Sequence, residues 1–339
     1  MSVARIQIVG AGIIGLSCAW RLVNAGHSVC VVDTARPGRG ASWAAAGMIA
    51  PAFEFANDPK PHAQMLAFSL ESAALWPDFA ASLDAANALD RGPFLSLSTI
   101  RDGNLDAQTT RLADAEIPFE RLTHAEARAL APSLSESVTG GLVLKTDFQI
   151  DHRLFIDRMI ERLAEAGVTF SSERRPADIS VETMGWRTQG THPVSGEAMS
   201  LSMRPSHPKQ TLRCAGVYVV PKPDRTIIGA TSRPGDTRTS ADEHALDDLR
   251  ARAAAFAPSV AEGAVIERWA GVRPATDDGA PLIGWINDKS IVAAGHYRNG
   301  ILLAPATASL VADLIEGRVT RDATNPFRPD RFAPATSEG

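Results

Sequence analysis

Apolar positions along the 339 residues switch between a two-residue and a three-to-four-residue period, and each switch marks a predicted element. The β-branched run Arg5-Ile6-Gln7-Ile8-Val9 predicts a strand. Leu16, Cys18, Ala19, Leu22 and Val23 then recur at helical spacing up to Gly26, and Ser28 to Val32 predicts a second strand ending in Asp33. Helical spacing returns from His62 to Ala86 through Leu66, Leu70, Ala73, Ala74, Leu75 and Phe79. Phe94 to Ile100 alternates as a strand, and 107–116 and 123–130 predict short helices, the second stopped before Pro132. A strand at Gly141 to Leu144, an amphipathic helix from Arg153 to Ala166 and a short strand at Val168 to Phe170 follow. Ser171 to His192 is charged and without apolar period. Strand patterns resume at Ala198 to Ser202, Gly216 to Val220 and Thr226 to Ala230. A helix at Leu246 to Phe256, strands at Ile266 to Ala270 and Ile291 to Ala294, and a helix at Ala306 to Ile315 complete the pattern. The polar, proline-bearing stretch from Asp322 onward predicts a partly disordered tail.

This order, β-α-β first and strand–glycine–helix last, predicts an α/β fold. A nucleotide-binding domain is assembled from distant pieces, with a mixed-sheet domain inserted. The expected division is 1–55, 141–186 and 265–325 for the nucleotide domain, 56–140 and 187–264 for the inserted one, and 326–339 as tail.

Between the first strand and helix stands Gly10-Ala11-Gly12-Ile13-Ile14-Gly15, a G-x-G-x-x-G in the context that gives it meaning, with Asp33 23 positions beyond Gly10. Gly10 permits the tight turn, Gly12 lets a pyrophosphate approach the backbone, and Gly15 lets the helix lie close on the strand. The free N–H groups at the helix start, around Ile13 and Ile14, favour phosphate. Asp33, with Thr34 beside it, suits the ribose hydroxyls of an adenosine and opposes a 2′-phosphate. The motif predicts a dinucleotide and leaves FAD and NAD both open. Directly after the second strand, Gly38 to Met48 is built largely of small residues, suited to wrapping closely round a ligand, or else to a flexible linker or the start of an alanine-rich helix.

Bulk composition narrows the class. An apolar content of 45%, 22% charged residues and a net charge of −5 fit a globular enzyme and argue against a nucleic-acid partner. No apolar run reaches membrane-spanning length, and the N-terminus reads as strand and turn rather than as a signal peptide. Cys18, Cys30 and Cys214 are scattered, the first two expected as small buried hydrophobes, and the eight histidines show no metal-ligand spacing. No metal is expected, and a reducing cytoplasm is the expected location.

The C-terminal third concentrates further chemistry. Arg273, two residues after Gly271 and just before Pro274, suits bidentate pairing with a small carboxylate, or a structural ion pair. Gly295 to Gly300 precedes a helix and offers N–H groups to a phosphate or an electron-rich ring edge. The two tyrosines, Tyr218 and Tyr297, lie in these segments. His296 suits either a base or a loop support.

Together these pieces resemble the D-amino-acid-oxidase type of flavoprotein, and most of all its glycine-oxidase branch associated with thiamine synthesis. The resemblance rests on Gly10 to Gly15, Gly40-Ala-Ser-Trp-Ala-Ala-Ala-Gly-Met-Ile-Ala-Pro51, Gly196-Glu197, Tyr218-Val-Val-Pro221, Ile228-Gly-Ala-Thr231, Trp269-Ala-Gly-Val-Arg-Pro274 and Gly295-His-Tyr-Arg-Asn-Gly-Ile-Leu-Leu-Ala-Pro305, in family order over nearly the whole chain. It implies FAD as cofactor, a Rossmann-type FAD domain, and oxidation of glycine or another small amino acid with O2 as acceptor. It implies Arg273 and Tyr218 at the substrate carboxylate and Arg298 beside flavin and substrate. Ser42 and Ala44, Ala45, Ala46, Gly47 and Met48 fall around the flavin. His296, Asn299, Gly300, Ile301 and Leu302 fall at its pyrimidine end. Gly185 falls near the cofactor, and a homo-oligomer is implied. The chain departs from the family at 171–186, where a small meander is reduced to a short stretch; Ile179 to Gly185 aligns with the strand and turn that follow it, with Val-Glu-Thr at its end. The cover over the adenine is therefore expected to be trimmed. Other readings are a dehydrogenase of D-amino acids or secondary amines with a different acceptor, a flavin-binding protein without oxidase activity, and an NAD-dependent dehydrogenase.

Overall fold

The computed structural model describes residues 3–101, 105–320 and 325–332. Its first sheet has six strands, in the order Leu282–Asn287, Ser290–Ala294, Ile179–Glu182, Arg5–Val9, Ser28–Val32 and Thr169–Ser171. Arg5–Val9 runs parallel to both neighbours, with Ile8 opposite Val31 on one side and Val181 on the other. Strands from the start, middle and end of the chain thus meet in one layer. The helices Ile13–Asn24 and Gly300–Ile315 pack on it, with Ala63–Ser82 against the second and His152–Glu165 against the first, and Ile6, Ile8, Leu16, Leu22, Trp76, Phe155 and Leu303 belong to the core they share.

The second sheet has nine strands. Eight run in the order Arg233–Pro234, His192–Ser202, Arg225–Gly229, Val217–Pro221, Thr211–Cys214, Phe94–Thr99, Val138–Leu144 and Phe119–Thr123; Val265–Ala275 pairs with His192–Ser202 as well. The helix Glu243–Phe256 covers one face through Leu246, Leu249 and Phe256. Segments 141–144 and 265–275, which the sequence reading grouped with the nucleotide part, run in this second sheet.

Three further features have local causes. The stretch 171–192, aperiodic in its apolar pattern, contains Ile179–Glu182, an inner strand of the first sheet, where the family resemblance aligned a strand and turn over Ile179 to Gly185. Its pattern is masked by Ser180 and Glu182, whose side chains bond to each other at 2.7 Å while Arg174 grips Glu182 through two contacts of 2.8 Å. The last helix begins at Gly300 rather than at Ala306. Pro305 has no N–H to give the Ile301 carbonyl, and at the next rung Ser72 steps in: its hydroxyl donates to the Leu302 carbonyl at 2.7 Å and accepts from Ala306 N at 3.2 Å. In the expected tail, Phe327 is buried with its ring 4.7 Å from that of Phe68, and its carbonyl accepts from Ile283 N at 2.7 Å. Residues 322–324 and 333–339, the rest of the stretch expected to be disordered, lie outside the described residues. Cys18 is buried, its thiol pushed up to about 12 by desolvation, while Cys30, expected to be buried, is partly exposed.

Candidate active site

Where the first strand turns into the first helix, two glycines are required by contact. A Cβ on Gly10, at φ +110°, would lie 2.5 Å from the Thr183 carbonyl oxygen, and one on Gly15 would lie 2.0 Å from the Gly10 oxygen. Thr183 holds the turn from below: its hydroxyl lies 2.9 Å from the Val9 carbonyl and 2.8 Å from that of Gly10. The polar Val-Glu-Thr end of the shortened segment therefore has a structural task. Ile13 N donates to Ser42 Oγ at 2.9 Å, and the other N–H groups of this first turn open on a cavity. The Asp33 carboxylate accepts from Ala11 N at 2.8 Å and Ala35 N at 2.9 Å, which fixes it at the cavity edge.

The small-residue loop runs along the middle of that cavity. Ala41–Ala44 is a single helical turn and Met48–Ile49 a two-residue strand. A Cβ on Gly271 would lie 2.3 Å from that of Ala44, and Trp269 Nε1 donates to the Ala44 carbonyl at 2.9 Å. A Cβ on Gly47 would meet the Ile150 carbonyl at 2.1 Å. Behind it the Lys222 ammonium donates to Gln149 Oε1 at 2.8 Å and to that same carbonyl at 2.7 Å. Burial lowers this ammonium to about 7. Bulkier residues would push the loop off the sheet.

At the far end, the nine-stranded sheet presents the polar groups. Tyr218 pairs in register with Gly229, and its hydroxyl lies 2.0 Å from where a Gly229 Cβ would be. Arg273 similarly lies over Gly196, whose Cβ would fall 2.1 Å from Nη1, and Nη1 donates to the Thr231 carbonyl at 3.2 Å. Burial raises the Tyr218 phenol, opposed by the two nearby cations Arg273 and Arg213, so it stays a neutral donor. Arg298 is held by Glu54 at 2.7 Å. The His296 ring turns to Thr307 at 3.0 Å, and burial lowers it to about 3. A neutral imidazole tied to the helix is a loop support and a poor base at neutral pH.

These parts line one cavity of about 1120 Å³. Gly10, Gly12, Ile13, Ile14, Asp33, Thr34, Ser42, Ala44, Ala45, Ala46, Gly47, Met48, Gly185, Tyr218, Arg273, His296, Arg298, Asn299, Gly300 and Ile301 all reach its wall. Gly15 and Leu302 do not. Gly15 acts through helix packing, and Leu302 is buried with its carbonyl turned to Ser72 and Trp76. The sequence reading missed Glu54, Arg174 and Arg213, which also line the cavity. An arginine inside the apolar run Thr211–Cys214 was the available signal for Arg213. The fit to a dinucleotide is good: a long cavity, a helix N-terminus without room for side chains at its turn, and an acid at the end of the second strand.

Comparison with known proteins agrees with this geometry. The family model of FAD dependent oxidoreductases (DAO) matches residues 5–195 and 177–314. Glycine oxidase of Geobacillus kaustophilus is 31% identical over 366 residues, covering 95% of each chain. The bifunctional protein ThiO/ThiG of a Synechocystis strain is 30% identical over 372 residues, covering 98% of this chain and 54% of that one. The crystal structure of the Geobacillus glycine oxidase superposes with a TM-score of 0.88 at 28% identity, over 98% of this chain and 100% of that one.

Proposed function

From the premise that this chain belongs to the DAO family of FAD-dependent oxidoreductases, we propose that it oxidises a small amino acid, glycine being the reference substrate, to the imino acid. Bound FAD would supply the two-electron acceptor for the C–N oxidation, with O2 as the final acceptor and H2O2 as its product. Gly10 to Ile14 would hold its diphosphate, Asp33 its ribose, and Ser42 to Met48 with Asn299 to Ile301 its ring system.

The observation that carries the reading is the pair Arg273 and Tyr218, a guanidinium and a neutral phenol set side by side over two glycines on the cavity wall. Arg273 binds the substrate carboxylate, and Tyr218 donates a hydrogen bond to it. With the carboxylate fixed, the Cα–H and the amine have one orientation, and alignment supplies much of the rate. The amine reacts in its neutral form. No side chain has to take the Cα proton, which agrees with a His296 that is neutral and occupied by Thr307. Released imine takes up water to give the α-keto acid and ammonia. Relatives named ThiO/ThiG support a supply role in thiamine synthesis.

Aerobic incubation of the FAD-loaded protein with glycine tests the reading. Glyoxylate, ammonia and H2O2 are expected in equal amounts. Turnover of a dye without H2O2 would replace O2 by another acceptor, and no turnover of any small amino acid would overturn the proposal.

A further inference from the structure

The sheet that carries Tyr218 and Arg273 carries a third polar group for which glycine oxidation has no use. Arg213 stands directly across from Tyr218 in register, and Tyr218 directly across from Gly229. Ala198 continues that row to Gly229 and Trp269, and Arg273 lies four residues beyond Trp269 on the same strand. Residues an even number apart share a face, so Arg213, Tyr218 and Arg273 point to the same side of the sheet, into the cavity. Arg273 lies on one flank of Tyr218, over Gly196, and Arg213 on the other.

The surroundings of Arg213 are apolar. It is 7% exposed, its Cζ lies 4.0 Å from the Phe53 ring centroid and 5.5 Å from that of Tyr218, and Nη1 reaches Met48 Sδ at 3.7 Å. Nε is buried without a partner, and among the described residues no carboxylate pairs with this guanidinium. By contrast Arg298 is paired with Glu54, Arg153 with Glu267 and Arg225 with Asp151. Glu54 attracts this cation at longer range but is in direct contact with Arg298, and ring contacts offset only part of the desolvation of a guanidinium, so an anion in direct contact remains favourable. The cofactor's phosphates belong to the helix N-terminus, which lies in the other sheet's layer.

We propose that Arg213 binds a second carboxylate of the substrate, so that the preferred substrate is an amino acid with two carboxylates, one on Arg273 and the other on Arg213. This rests on the amino-acid oxidase reading and specifies its substrate class. A single guanidinium walled by Phe53 and Met48 suits a monoanion. Two sources share that chemistry: an α-amino acid with an acidic side chain, and an amine with two acetate arms.

The test uses the FAD-loaded protein. Non-reacting acids are titrated against the flavin absorption in length-matched pairs, propionate with succinate and butyrate with glutarate. kcat/KM is measured for D-alanine against D-aspartate and for glycine against iminodiacetate, which separates the two sources. The diacid is expected to bind about tenfold or more tightly than its monoacid partner. This ratio collapses in Arg213→Met, through Kd and KM rather than kcat, and is partly restored in Arg213→Lys. FAD content and melting temperature of both variants establish that they fold. Equal affinity for diacid and monoacid, with glycine or D-alanine still oxidised, overturns the role of Arg213 and leaves the oxidase reading standing. Failure of every acid to perturb the flavin and of every amino acid to reduce it overturns both.

Discussion

Two side chains at the sheet end of the cavity, Arg273 and Tyr218, owe their positions to the absence of two others. Arg273 lies where a Gly196 Cβ would be, and Tyr218 where a Gly229 Cβ would be. On the proposed function Arg273 pairs with the substrate carboxylate, and Arg273→Ala removes that partner. The loss of about 2–4 kcal/mol raises KM roughly 30- to 1000-fold, with the flavin spectrum unchanged. Steady-state kinetics of the purified variant measures this, and an unaltered KM would remove Arg273 from the site. Gly196→Ala should mimic it in kind, since its Cβ would fall 2.1 Å from the guanidinium. Arg273 and Tyr218 were legible in the sequence because they sit in ordered motifs with glycine and proline. Arg213 was not. An inward and an outward arginine look alike in a four-residue strand, and the face is settled by pairing with Val217–Pro221, which is tertiary information.

At the level of elements, the cofactor end depends on a strand that sequence periodicity hid. Ile179–Glu182 ends in Thr183, whose hydroxyl bridges the Val9 and Gly10 carbonyls under the glycine turn. Thr183→Val leaves the shape and deletes that donor. It should cost about 1–3 kcal/mol of stability and weaken FAD retention, read by thermal unfolding and by the flavin lost on gel filtration. Retention equal to that of the unaltered protein would show that the hydroxyl has no part in holding the turn. The last helix poses a similar problem: Pro305 reads as a helix start, yet the helix extends back to Gly300 because Ser72, from a helix more than 200 residues earlier in the chain, completes the ladder. Ser72→Ala should destabilise by about 1–3 kcal/mol through the unpaired Ala306 N–H, measured by denaturant unfolding. Local patterns give the helices and strands with strong period. Elements completed by a side chain from elsewhere are invisible to them.

Over the whole molecule, the first sheet draws its strands from both ends and the middle of the chain, so the outline was legible from the β-α-β start and the strand–glycine–helix end. Which strands join which sheet was not. Burial also sets a global pH response. His296 and His152 are fully buried and both are lowered from 6.5 to about 3, chiefly by desolvation. Their folded values lie below the unfolded one, so the unfolded chain binds more protons between these limits. Their contribution to stability is complete above pH 6.5 and is lost as pH falls from 6.5 toward 3. Melting temperature should fall across that window, and His296→Gln should flatten the fall; a slope unchanged by the substitution would contradict this. The central claim is that the cavity joins FAD to an amino acid held by Arg273 and Tyr218. Anaerobic mixing of the FAD-loaded protein with glycine, D-alanine, D-aspartate and iminodiacetate, followed at the flavin absorption band, tests it most directly. Bleaching by at least one of them, reversed on admitting air and abolished at the same concentration in Arg273→Ala, is the predicted result. A flavin that none of them reduces, or that Arg273→Ala reduces as readily, would contradict the account.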